Sequence, residues 1–129
     1  MNISAILDID EVWKLIEKYV DGAAKYTHGR YTSDDIRQRF KKGGQQLWIA
    51  YDREVYGFVI TEVMQYPRMV ALVMHFTGGK ELPKWKNEML SVLQSFAKDA
   101  GCQTIESFGR TGWKKVFSKD GFKSKFMFY

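Results

Sequence analysis

The sequence predicts an α+β fold: a mixed sheet with antiparallel N-terminal strands, a central crossover helix and a C-terminal helix–strand unit. Three observations predict it. Residues 47–51, 55–66 and 69–76 are rich in β-branched and aromatic side chains, and the gaps between them suit hairpins but not the long crossover that parallel neighbours need. Trp85, Met89, Val92, Leu93, Phe96, Ala97 and Ala100 recur at helical spacing. The strand Thr104–Phe108 is reached through that helix, so it is expected to run parallel to the strand before it.

The first element in the chain is expected to be a helix, from the periodic set Val12, Leu15, Ile16, Tyr19, Val20 and Ala23. Asp8 and Glu11 stand where a cap and a third-position acceptor belong, and Gly22 or residues 27–29 should end it. A shorter helix follows from Thr32, which with Asp35 has capping-box spacing. It faces inward through Ile36 and Phe40 and stops at Gly43-Gly44. In the third strand Ala71, Leu72, Val73 and Met74 are apolar on both faces, which places it centrally in the sheet. The long helix starts near Pro83, allowed in a first turn, and ends at Gly101. A short helix around 113–117 and a final strand over 122–128 complete the order.

The 129 residues, 45% hydrophobic and 27% charged, suit one domain spanning 1–129. No apolar run approaches the ~20 residues that span a bilayer. Residues 1–10 lack the pattern of a signal peptide, so a cytoplasmic protein with no membrane partner is expected. Cys102 has no partner for a disulfide and, with only His28 and His75, leaves too few ligands for a structural metal site. Of the net charge of +5, residues 101–129 hold +4, from six basic side chains against Glu106 and Asp120. That basic end suits either a polyanion such as a nucleotide cofactor or plain solvated lysines. Nucleic-acid binding is the weaker expectation. Neither a Gly-x-Ser-x-Gly elbow, a Walker loop nor a dinucleotide glycine motif occurs.

The element order resembles the GNAT superfamily of acetyl-coenzyme-A-dependent N-acetyltransferases over almost the whole chain. Residues 93–102 resemble the end of the family's central helix. Phe117-Ser118-Lys119-Asp120-Gly121-Phe122 resembles its Tyr-x-x-x-Gly-Phe ending. The resemblance implies acetyl-CoA as cofactor and a small-molecule or protein amine as acceptor. It is a divergent resemblance, because the two positions carrying the family's chemistry are altered.

The family's phosphate-binding glycines would fall near Lys84 and Lys86, which are not glycines. Backbone amides of Met74, Phe76, Thr77, Gly78, Gly79 and Lys80 are the expected replacement, with Gly78-Gly79 either a shifted phosphate cradle or a plain turn. On the cradle reading, Gly78→Val weakens cofactor affinity without unfolding the domain. Phe117 stands where the family has its general acid and cannot donate a proton, so that role is either missing or carried elsewhere, for example by Ser107 or Tyr129.

For the general base the resemblance points to His75, near the end of the third strand where the acetyl group would rest, with Glu62 second. Each also has a structural explanation, as a bonded histidine at a sheet edge and as a solvated carboxylate on an alternating strand. Two functions follow: an N-acetyltransferase with an atypical cofactor loop, or a non-catalytic GNAT-fold binding or structural protein of the kind that phage-encoded relatives would provide. The run Phe126 to Tyr129 hints at strand pairing with a second copy or a protein partner.

Overall fold

The computed structural model describes residues 1–108 and 123–127. The elements are β1 (Asn2–Ile6), α1 (Ile9–Lys25), α2 (Ser33–Lys41), β2 (Gln45–Tyr51), β3 (Val55–Gln65), β4 (Val70–Gly79), a 3₁₀ turn (Leu82–Lys84), α3 (Lys86–Asp99), β5 (Thr104–Phe108) and β6 (Lys123–Met127). They build one six-stranded sheet in chain order, antiparallel from β1 to β4 and parallel from β4 to β6. The short helix expected around 113–117, with Trp113 and Phe117, and the terminal Tyr129 lie outside the described residues.

The first element is a strand, not the expected helix. Five residues of mixed polarity carry no periodicity of their own, and β1 owes its conformation to the ladder with β2, from Asn2↔Tyr51 to Ile6↔Leu47. The helix follows, capped by the Asp8 carboxylate, which accepts the Asp10 amide at 2.9 Å. Its buried stripe is Ile9, Trp13, Ile16, Val20 and Ala23, while Leu15, expected to face inward, is 55% exposed. Both stripes satisfy helical spacing on a wide apolar arc, and contact with the sheet decides between them. Gly22 lies inside α1; the chain turns off at His28 (φ 54°) and Gly29 (φ 80°).

The capping box of α2 forms as the Thr32/Asp35 spacing predicts, and Ile36 and Phe40 are buried. Asp10 accepts from Arg37 and Lys41, each at 2.8 Å, which ties α2 to α1.

Two cores lie on opposite faces of the sheet. Helices α1 and α2 cover Leu47, Ile49, Phe58, Ile60 and Phe76. Helix α3 covers Trp48, Ala50, Val59, Leu72 and Met74 through Trp85, Met89, Leu90, Leu93 and Ala97. Ala71, Leu72, Val73 and Met74 are all at most 1% exposed, as their apolar run predicts for a central strand.

Gly78 and Gly79 are neither a loop nor a turn: they are the last residues of β4, paired with Phe58 and Gly57. A Cβ on Gly78 would overlap the backbone oxygen of Tyr19 in α1 and come within 2.8 Å of the Phe58 ring. A Cβ on Gly57, across from Gly79, would overlap the Trp85 ring. Both helix layers therefore approach the sheet closely where it has no side chains. Among the described residues no helix is long and apolar enough to cross a membrane.

Gly78→Val is accordingly expected to lower the urea-unfolding free energy by more than the ~1–3 kcal/mol typical of overpacking, because backbone rather than a movable side chain blocks the new methyl groups. Gly22→Ala, at a helical site with nothing within 4 Å of the added Cβ, is expected to stabilise by ~0.5–1 kcal/mol. A folded Gly78→Val protein of native stability would remove this packing account.

Candidate active site

The site begins with one irregularity in the ladder. Between β3 and β4 the register steps from Ile60↔Phe76 to Thr61↔Met74, which leaves His75 as an extra, bulged residue. Regular alternation would place Met74 and Phe76 on the same face, yet Met74 belongs to the α3-side core and Phe76 to the α1/α2-side core. The bulge resets the alternation and aims His75 at Glu62 on β3. His75 Nε2 and Glu62 Oε1 are 2.8 Å apart. The two sequence candidates for the base thus meet as one pair.

Helix α2 and the segment before it add two more groups. Arg39 Nη2 lies 3.9 Å from the same Glu62 oxygen, and its Nη1 donates to the Tyr31 hydroxyl at 2.6 Å. The Tyr31 ring meets Phe76 edge-on at 5.2 Å. Directly across from Glu62 on β2 is Gln45, whose two side-chain amide atoms are shut off from solvent without a hydrogen-bond partner among the described residues.

Burial holds the His75 imidazole below its ordinary pKa; the hydrogen bond to Glu62 opposes this, and the Arg39 charge adds to the lowering. The ring is therefore neutral near neutral pH. With Nε2 bonded to a carboxylate the proton sits on Nε2, and Nδ1 carries the lone pair. Such a ring can accept a proton, and Glu62 stabilises the imidazolium that results.

The expected cofactor segment is differently disposed. Among the described residues the parallel ladder between β4 and β5 runs to Met74↔Ser107, whereas β4 continues to Gly79. Among the described residues, no β5 residue pairs with Phe76, Thr77, Gly78 or Gly79. The side chains of Met74 and Phe76 are buried in the two cores. Lys80 is paired with Glu54, and its amide donates to the Tyr56 carbonyl at 2.8 Å. The expectation of a glycine loop that cradles phosphate is thus corrected: the glycines serve close packing and belong to a strand.

The helix opens where counting back from its end places it, with Lys84 closing the 3₁₀ turn and Lys86 as the first residue of α3. Trp85 caps it without a side-chain hydrogen bond, and its indole donates to the Lys80 carbonyl at 2.9 Å.

Ser107 is buried and lies beside Met74 in the parallel ladder, on the α3 face, so it is not brought to His75 and Glu62. Its neighbour Glu106 does share their face. It stands alongside Val73, which is paired with Glu62, and is only 6% exposed. Two strand spacings put it about 10 Å from Glu62 along the sheet. A carboxylate inside a short strand of β-formers was the signal available for it. No spacing in the sequence marks Tyr31, Arg39 or Gln45. Cys102 is buried, which pushes its thiol up and leaves it a core residue. Among the described residues no three His, Cys, Asp or Glu side chains gather to hold a metal ion.

The sequence matches no protein-family model and no curated protein. Solved structures are similar in fold. A probable acetyltransferase superposes with a TM-score of 0.73 at 12% identity, over 95% of this chain and 90% of that one. Ribosomal-protein-alanine N-acetyltransferase from Brucella melitensis biovar Abortus 2308 superposes with a TM-score of 0.63 at 16% identity, over 100% of this chain and 97% of that one. A transcriptional regulator from Bacillus halodurans C-125 gives 0.61 at 12% identity, over 95% and 93%. The chain has the GNAT fold that its sequence resembles.

The lowered pKa of His75 has a measurable consequence. As pH falls through ~6.5 the unfolded chain takes up a proton that the folded chain refuses, so this contribution to stability is complete above that pH and is lost below it. The difference in urea-unfolding free energy between wild type and His75→Gln is expected to shrink from pH 7.5 to pH 5.5. A constant difference would mean that the imidazole titrates as in the unfolded chain.

Proposed function

We propose that the chain is an acyl-CoA-dependent N-acetyltransferase, and that the His75–Glu62 pair is its base. The observation that carries this is the bulge, which puts a neutral imidazole on a carboxylate beside a stretch of β4 that has no β5 partner among the described residues. That stretch suits an amide-bearing arm, which can pair with outward main-chain groups of Phe76 to Gly79 as an added strand would. The phosphate end fits the opening of α3, where the first amides and the Lys86 side chain offer positive charge, while Lys84 is already paired with Glu81 at 2.8 Å. It does not fit Gly78-Gly79.

Acetyl-CoA, when bound, supplies an acetyl group activated as a thioester. The His75–Glu62 pair accepts the acceptor's ammonium proton, directly or through one water, and so frees the nitrogen lone pair that attacks the acetyl carbon. The C–N bond would form as the C–S bond breaks, the nitrogen would shed its second proton to solvent, and the leaving sulfur would be protonated by solvent or by another acid. Phe117 cannot supply that proton. Proton transfer to such a leaving group typically contributes 10²–10⁴-fold, so its loss slows turnover without abolishing it. Glu106 offers a second carboxylate on the same face.

A second reading is favoured by Phe117 and by the lysines at the glycine positions: a GNAT-fold protein that binds a partner without catalysis. One experiment separates them. A thermal-unfolding scan with acetyl-CoA at ~100 times its dissociation constant is expected to show about 2.7 kcal/mol of stabilisation, a shift of several degrees at this size. His75→Ala is expected to keep that shift and to cut thiol release with an amine acceptor at least about tenfold. No shift in folded protein would leave the non-catalytic reading standing, and an undiminished rate would remove His75 from its role.

A further inference from the structure

Next to the His75–Glu62 pair, the end of the α1–α2 connection and α2 enclose a groove of about 510 Å³, lined by Arg30, Tyr31, Asp35, Gln38, Arg39 and Lys42. Its volume is that of a small-molecule site. Tyr31 and Arg39 belong to both places, since the hydroxyl of one holds the guanidinium of the other beside Glu62. Tyr31 and Arg39 therefore link the groove to the base.

Cations outnumber carboxylates in the groove, and Arg39 at its edge lies 3.9 Å from Glu62. Three cations line the groove against one carboxylate, and Asp35 already accepts the Thr32 amide at 2.9 Å in the capping box. That bond and the Thr32 hydroxyl hold the Asp35 carboxyl below its usual range. Arg30 is anchored by donating to the Thr27 carbonyl at 3.0 Å, and Arg39 by Tyr31. Two anchored guanidiniums form a preorganised fork for oxyanions. At the other end stands Glu62, and across from it Gln45, whose buried amide lacks a partner among the described residues.

We infer that this groove selects an acceptor that carries both an amine and an oxyanion, the oxyanion held by Arg30 and Arg39 and the amine directed at Glu62 and His75. The identity of the acceptor class rests on the acyl-transfer reading; the binding of the zwitterion does not. A diamine would push its second ammonium against Arg30, Arg39 and Lys42, while a zwitterion meets opposite charge at both ends. The oxyanion is a carboxylate or a phosphate, which the same fork accepts.

The test is calorimetric binding, without acetyl-CoA, of O-phosphoethanolamine, β-alanine, ethanolamine and 1,3-diaminopropane to the full chain at low salt. O-Phosphoethanolamine or β-alanine is expected to bind at least about tenfold more tightly than the other two, and whichever is tighter tells phosphate from carboxylate. Arg30→Gln and Arg39→Gln are each expected to lose at least about tenfold for the zwitterion, with part restored in Arg39→Lys. Arg30→Gln, which leaves the Tyr31–Arg39–Glu62 contacts intact, keeps the test valid if Arg39→Gln does not fold. Equal binding of all four probes, or a zwitterion affinity unchanged in Arg30→Gln, would overturn the inference. Stabilisation by acetyl-CoA with no zwitterion preference would overturn this inference and spare the transferase. Zwitterion binding without any acetyl-CoA effect would spare the groove and remove the transferase.

Discussion

The structure depends on β4, a strand covered on both faces that must nonetheless change its phase partway along. Up to Met74 its backbone is enclosed by ladders on both sides, to β3 and to β5. At His75 it gains a residue against β3, and among the described residues its last partner on β5 is that of Met74. A bulge leaves ladder groups unpaired and is tolerated where surrounding packing over-determines it. Here Met74 and Phe76 are each locked into a different core, so the chain between them cannot regularise without pulling a large side chain out of one layer. The two cores hold the irregularity, and the irregularity places the imidazole.

The same packing governs the electrostatics. Burial disfavours the charged imidazole, whereas the bond to Glu62 favours it, and Arg39 moderates Glu62 from the other side. A histidine so poised is neutral at rest and can still hold a proton once it takes one. Arg39 is in turn positioned by Tyr31, which leans on Phe76 of the same bulge. The contacts form a ring that starts and ends on β4, although they join the α1–α2 connection, α2 and two strands.

Close approach of the layers explains the glycines. Backbone without side chains at Gly57 and Gly78 lets Trp85 and α1 settle onto the sheet near its end. A sequence offers two explanations for a glycine pair after a strand, a bend or a ligand, and close approach is a third that needs knowledge of what packs there. The missing glycines at Lys84 and Lys86 are consistent with this, because the helix opening holds its place through the Trp85 indole and the Lys80 carbonyl.

Local periodicity and punctuation were legible in the chain by themselves. The three central strands, the capping box of α2, the two-sided burial of residues 71–74 and the strand Thr104–Phe108 follow from side-chain pattern, because alternation, helical spacing and caps act over a few residues. His75 and Glu62 could be named as candidates from chemistry and position. Their meeting could not, because it requires one extra residue in a ladder that joins residues thirteen positions apart in the chain. Strand β1, the choice of stripe on α1, the packing role of Gly78 and the company of Tyr31, Arg39 and Gln45 were likewise decided only by tertiary structure. In each case the deciding contact joins distant segments whose sequences carry no local mark of one another.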